Sequence, residues 1–223
     1  MFYNVRNNHR KIMNLAIGLP KIMDDNQGKE MTTGICKNKV EEAILTKNGF
    51  LDDGVADLKH HGGPDRAVCI YPYEHYSFWQ QEFGIQLPTA AFGENLTVTH
   101  MLEEDVCIGD IYQIGESVIQ ITQSRIPCNT ISKRTGVPNL LKKMVETGFT
   151  GYLSRVLKEG TIRKNSDIVL IKRHPKQCSV LFSHQIYLHN PNDIDGIKRL
   201  LAVKELANEW RKKMNKRIER LNS

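Results

Sequence analysis

As far as Lys172 the chain is crowded with short alternating apolar runs, and most gaps between them are too brief to hold a crossover helix. Parallel neighbours need connections of about a dozen residues or more, so this spacing argues for antiparallel pairing and a barrel-like sheet. The strand candidates are Asn14–Leu19, Val40–Thr46, Leu51–Lys59, Ala67–Tyr71, the end of Ala90–Thr99, Cys107–Asp110, Ile111–Ile114, Val118–Gln123, Tyr152–Leu157 and Asp167–Lys172. The two runs flanking Gly115 read as a hairpin. Asp24–Thr33 is polar and carries a glycine, so it reads as a loop. Pro72 opens a helix from Tyr73 to Phe83 that Gly84 stops, with Tyr76, Trp79 and Phe83 on its core face. A second helix is expected near Asn139–Glu146, after a polar loop that follows Cys128.

The texture changes near His174. Ser179–Tyr187, Asp193–Leu201 and Leu206–Leu221 read as helices. The last puts Leu206, Trp210, Met214, Ile218 and Leu221 on one stripe and its basic residues on the other face. The fold class is therefore mainly β (α+β): a barrel-like body over 14–173 and a small three-helix domain over 174–223.

Length and composition limit the function. The 223 residues, 40% of them hydrophobic, suffice for a body with an appendage or for two small domains. The net charge is +6, and residues 193–223 hold nine Lys/Arg against five Asp/Glu, a net of +4. Such an excess suits an anionic ligand, an acidic partner or nucleic acid. Five scattered cysteines without a CxxC pair argue for a reducing compartment. The start, Met1 to Lys11, reads as an extension without a signal peptide, and no apolar run is long enough to span a membrane. A cytoplasmic protein is the default expectation.

Two stretches carry chemistry. In Gln123-Ser124-Arg125-Ile126-Pro127-Cys128 a strand runs into a stiff loop that ends in a thiol. Arg125, Lys133 and Arg134 lie close in sequence and would favour the thiolate, as nucleophile or as soft-metal ligand. In Lys59-His60-His61-Gly62-Gly63-Pro64-Asp65-Arg66 a double glycine offers backbone N–H groups to an anion, with Lys59 and Arg66 beside it to grip a phosphate. The bland reading, a solvated turn between strands, is equally open for this stretch. Asp65 suits orienting Arg66 or a histidine. Asn95, after Gly93 and Glu94, suits either a turn or a heterocycle edge. A zinc site of His61 with Cys128 lacks further ligands at recognised spacing.

His61-Gly-Gly-Pro-Asp-Arg66-Ala-Val-Cys69, Phe92-Gly-Glu-Asn-Leu96, Gly109-Asp110 and Gln123-x-Arg-x-Pro-Cys128 occur in that order. This set resembles the MOSC domain family, in the YiiM-like branch with a three-helix C-terminal extension. The resemblance implies a pocket for the molybdenum cofactor, Mo-molybdopterin, with Cys128 as protein ligand to the metal and catalytic centre. Around it, Lys59, His61, Gly62, Gly63, Asp65, Arg66, Asn95 and Arg125 are the candidates for holding the cofactor. Ser124, Asn129 and Thr130 depart from the usual family residues, which touches the substrate side and leaves the metal ligand intact. The implied activity is an oxidoreductase that reduces small N-hydroxylated compounds such as hydroxylaminopurines to amines, a detoxification chemistry. Its electrons come from a separate reductase, since no flavin or haem motif is present. The alternative is a non-catalytic carrier of the cofactor or of its sulfur. Nucleic-acid binding is disfavoured, because the basic face of the last helix carries no interleaved aromatics.

Overall fold

The structure is a computed structural model that describes residues 10–25, 28–57 and 61–222. Residues 1–9, Lys59 and His60, and with them the expected N-terminal extension and the expected cofactor contact of Lys59, lie outside the described residues. The strands are β1 (Ile12–Ile17), β2 (Lys21–Asp24), β3 (Glu30–Thr33), β4 (Asn38–Lys39), β5 (Glu42–Thr46), β6 (Gly49–Phe50), β7 (Val68–Pro72), β8 (Leu96–Val98), β9 (Ile111–Ile114), β10 (Ser117–Ser124), β11 (Tyr152–Lys158), β12 (Gly160–Arg163) and β13 (Ile168–Lys172). The helices are α1 (Glu74–Phe83), α2 (Asn129–Thr135), α3 (Leu140–Thr147), α4 (Val180–His184), α5 (Ile194–Leu201) and α6 (Asn208–Asn222), and a π-turn over Gln185–His189 extends α4.

Eight strands form one sheet in the order β13-β9-β10-β11-β7-β8-β1-β4, a curled half-barrel. A smaller sheet, β12-β5-β6, packs its Ala43, Leu45, Phe50 and Ile162 into the same core as Ile119, Ile121 and Val156. The antiparallel expectation holds with one correction. β7 and β8 run parallel, because the segment between them is long enough to contain α1 and return the chain to the same edge. Trp79 of α1 is fully buried, and its indole N–H donates to the Tyr71 hydroxyl at 2.7 Å.

Other expectations are corrected. Asp24–Thr33 is no simple loop: β2 and β3 form a hairpin, with Met23 opposite Met31. Its faces are largely exposed, so it carries no alternation for a sequence reading to find. Over Leu51–Asp57 the expected strand is absent. The chain turns at Asp52 (φ 59°), and the Asp53 carboxylate accepts from the Gly18 amide at 2.9 Å. Cys107–Asp110 is a turn, closed by the Cys107 amide donating to Asp110 Oδ2 at 2.9 Å. The segment after Cys128 is helix α2, anchored by buried Ile131 and stopped at Gly136 (φ 67°), whose amide bonds the Ser132 carbonyl. One buried apolar residue in seven leaves no stripe to read.

The C-terminal helices do not build a core of their own. Val180, Ile197, Leu200, Leu206, Trp210 and Met214 belong to the same apolar cluster as Leu15, Ile70, Leu96 and Tyr152 of the sheet. A second cluster, with Ile35, Tyr71, Trp79, Phe92, Ile131, Leu140 and Met144, joins α1, α2 and α3 beside the rim where β10 ends. Among the described residues no helix is long and apolar enough to cross a membrane.

Candidate functional site

Strand β10 delivers the motif to the rim. Ser124 is its last paired residue, opposite Tyr152, and the Arg125 amide extends the ladder to the Gly151 carbonyl at 3.0 Å. Pro127 then turns the chain, and Cys128 takes an extended conformation (φ −113°, ψ 162°) as the residue that opens α2. The first helical amides point back towards such a residue, so a sulfur placed there sits among donors.

Those donors set its charge. Burial raises the Cys128 pKa, but hydrogen bonds from the His61 and Thr130 side chains, the Arg125 charge and the Thr130 amide outweigh it and bring it to about 6. The thiol is therefore mostly thiolate at neutral pH, the form that binds soft metals and attacks electrophiles.

Arg125 is the second member. One guanidinium nitrogen, Nη2, donates to the Phe92 carbonyl at 2.6 Å. The other, Nη1, is buried without a hydrogen-bond partner. Burial opposes the charge, yet Cys69, Cys128, Glu94 and Tyr71 together raise the pKa of this arginine. The carbonyl it bonds belongs to the Phe92–Asn95 turn. There Gly93 has φ 76°, and a Cβ would stand 2.8 Å from Ile35 Cγ1, so only glycine fits. Glu94 is fully buried and accepts from the Tyr76 hydroxyl at 2.6 Å, the Thr97 hydroxyl at 2.8 Å and the Phe92 amide at 3.2 Å.

The structure brings Cys128, His61 and Arg125 together. Gly62 and Gly63 follow His61, both at φ 93°, a conformation that suits the double glycine. Other candidates are engaged elsewhere. Asn95 accepts from the Cys69 amide at 3.1 Å and donates to Asp53 Oδ2 at 2.8 Å and to the Ala16 carbonyl at 3.3 Å, which ties β1 to β7. Asp65 and Arg66 turn towards α6: Asp65 Oδ2 accepts from the Asn208 amide at 2.8 Å, and Arg66 pairs with Glu209. Lys59 lies outside the described residues.

Sequence reading missed three neighbours of the site and the role of a fourth. Thr130 bonds the thiolate, and recognising it required α2. Cys69 feels the charge of Arg125, and burial raises its pKa. Lys37 and Asp53 form a buried ion pair, with side chains 5% and 12% exposed, whose charges reach Cys69. No local pattern pairs residues so far apart in sequence. Among the described residues no group of three or more His, Cys, Asp or Glu is placed to hold a metal ion. A metal at Cys128 would thus have fewer than three such ligands from the described residues and would need further donors.

The sequence model of the MOSC domain matches residues 57–169, and that of the YiiM-like 3-alpha helix domain matches residues 179–221. The chain is 41% identical to the uncharacterized protein YflK of Bacillus subtilis, over 94% of this chain and 95% of that protein. It is 36% identical to protein YiiM of Escherichia coli, over 83% and 84% of the two chains. A Gibberella moniliformis protein named as a reductase is 38% identical over 69% of this chain, which spans only 28% of that longer protein. The crystal structure of YiiM from Geobacillus stearothermophilus superposes with a TM-score of 0.80 at 32% identity, covering 93% of this chain and 98% of that one. The order of motifs around Cys128, the curled sheet and the C-terminal helices thus have one common explanation: the chain belongs to the MOSC domain family, in the branch that carries a YiiM-like three-helix domain.

Proposed function

We propose that this protein is an oxidoreductase that binds the molybdenum cofactor through Cys128 and reduces N-hydroxylated compounds to amines. MOSC domains as a family are associated with molybdenum cofactor binding, and one relative is named a reductase. The observation that carries the reading is the pairing of a thiolate at Cys128 with a half-buried Arg125 whose buried Nη1 has no partner. A buried guanidinium N–H without an acceptor is costly, and an anionic group bound there would satisfy it. The residues fit the cofactor in both respects: a soft donor for the metal and a cation for its phosphate.

When bound, the cofactor would supply the two-electron redox chemistry of the reaction. In the overall change the N–O bond breaks, the amine nitrogen gains a hydrogen, and the oxygen leaves as water. A separate reductase provides the electron pair, and solvent the protons. The chain's own residues do simpler work. Cys128 would hold the metal, and Arg125 would neutralise charge beside it. His61 and Thr130 donate to the sulfur and fix its direction.

Metal analysis of protein made in a host that synthesises the cofactor tests the ligand. Wild type should carry molybdenum and Cys128→Ala should carry at least tenfold less; equal loading sinks the assignment. Turnover of an N-hydroxylated base with an artificial electron donor tests the activity. A fully loaded sample without turnover favours the carrier reading, which uses the same residues.

A further inference from the structure

The turn that carries His61 is not fixed by its own sequence. Two glycines at φ 93° separate His61 from Pro64, and glycine pairs have the widest backbone freedom of any dipeptide. What holds it lies at its two ends. Upstream, the His61 amide donates to the Asp57 carbonyl at 2.9 Å. Downstream, the chain closes a 3-10 turn over Pro64–Arg66, with the Arg66 amide on the Gly63 carbonyl at 2.9 Å, and that turn is bolted to the C-terminal helices.

The bolt is Asp65. Its Oδ2 accepts from the amide of Asn208, the first residue of α6, at 2.8 Å. Its Oδ1 accepts from Arg155 Nε at 3.0 Å, and Arg155 Nη2 lies 2.7 Å from the same oxygen. Arg155 Nη2 also donates to the Glu205 carbonyl at 3.0 Å, in the turn that leads into α6. The backbone joins in: the Thr122 hydroxyl donates to the Asp65 carbonyl at 2.6 Å, and the Ala207 amide donates to the Thr122 carbonyl at 3.1 Å. A carboxylate at a helix N-terminus satisfies an otherwise open amide and meets the positive end of the helix dipole. Asp65 thus caps α6 from another part of the chain, while Arg66 pairs with Glu209 in the first turn of the same helix.

We infer that the three-helix domain is a positioning device for the thiol site: α6, through Asp65, fixes the 61–66 turn and thereby the His61 side chain against Cys128. Asp65 is then a positioning residue that needs no contact with cofactor or substrate. The inference concerns the free protein, so it stands apart from what Cys128 binds. A failed molybdenum assay leaves it intact, and its own failure leaves the cofactor reading intact.

The test uses the full-length, cofactor-free chain with ¹⁵N-labelled histidine. The His61 ring nitrogens are followed by NMR at one fixed pH, with Cys128→Ala giving the resonance of a His61 that has lost its sulfur partner. In Asp65→Ala the His61 signal should move most of the way to that reference, and the Arg66 amide should exchange at least tenfold faster. Asp65→Glu should restore part of both effects. Should Asp65→Ala fail to fold, Asn208→Pro removes the amide donor alone, since proline is tolerated at the first helical position. It should shift His61 in the same direction by less. A His61 signal that stays at its wild-type position in a folded Asp65→Ala or Asn208→Pro protein, while α6 loosens, overturns the inference.

Discussion

Arg155 lies in β11 and Arg125 directly follows its partner strand β10, and their surroundings differ completely. Arg155 sits within β11 opposite Gln120 of β10, where the sheet meets the C-terminal helices. Every nitrogen of its guanidinium is engaged: Nε with Asp65, Nη1 with Gln120 Oε1 at 3.3 Å, Nη2 with the Glu205 carbonyl. Arg125 follows β10 at the rim, bonds one carbonyl, and leaves buried Nη1 without a partner. A saturated guanidinium holds parts of a fold together. An unsaturated buried one bears a cost that binding an anion removes. The junction and the rim thus leave the same residue type in opposite states of hydrogen bonding.

The largest effect expected from this contrast is on stability. Arg155→Leu should cost about 3 kcal/mol, because it strips Asp65 and two other acceptors of a charged partner at once. Urea unfolding reads this as a lower midpoint at unchanged slope. A loss under about 0.5 kcal/mol would mean that the junction is held by its apolar core alone.

Arg125→Met should cost far less, about 1 kcal/mol, since a single hydrogen bond is lost and an orphaned donor goes with it. Its main effect should be chemical. Without the guanidinium charge the Cys128 pKa rises, and alkylation of Cys128 by iodoacetamide at pH 7 slows several-fold. If Arg125→Met unfolds the protein as readily as Arg155→Leu, the contrast between rim and junction collapses.

A further effect is a pH dependence, confined to one window. The Cys128 pKa in the folded chain is about 6, below the ordinary thiol value of about 8.5. Over that window the unfolded chain binds the extra proton, so the thiolate's contribution to stability is full above the ordinary value and is lost as pH falls towards 6. In cofactor-free protein, Cys128→Ala should therefore cost more stability at pH 9 than at pH 6. The alkylation rate of wild type should reach half its maximum near pH 6, and Thr130→Val should move that midpoint upward. A wild-type midpoint at 8 or above would remove the thiolate from the account.

How far these roles were legible depended on the range of each contact. The rim site was readable where its members are consecutive: Arg125, Pro127 and Cys128 lie on one strand end, and His61 precedes a glycine pair whose conformation is unusual wherever it occurs. Asp65, Arg66 and Asn95 looked equally fit to hold a ligand. The partners that their side chains take in the fold left no trace in the sequence, and Asp65 and Arg66 find theirs on α6, 143 residues away. Thr130 was hidden because α2 has a single buried side chain, and Lys37–Asp53 because an ion pair leaves no periodic trace.

The strand-rich body, the helical tail and the thiol at a strand end follow from local sequence, since hydrophobic period, glycine and proline act within a few residues. The tertiary structure alone decided that β7 and β8 run parallel, that the tail shares the core of the sheet, and which charged residues are satisfied. Burial and hydrogen bonding are properties of the whole packed chain. An arginine becomes a clamp or a binding group only when the fold has supplied, or withheld, its acceptors.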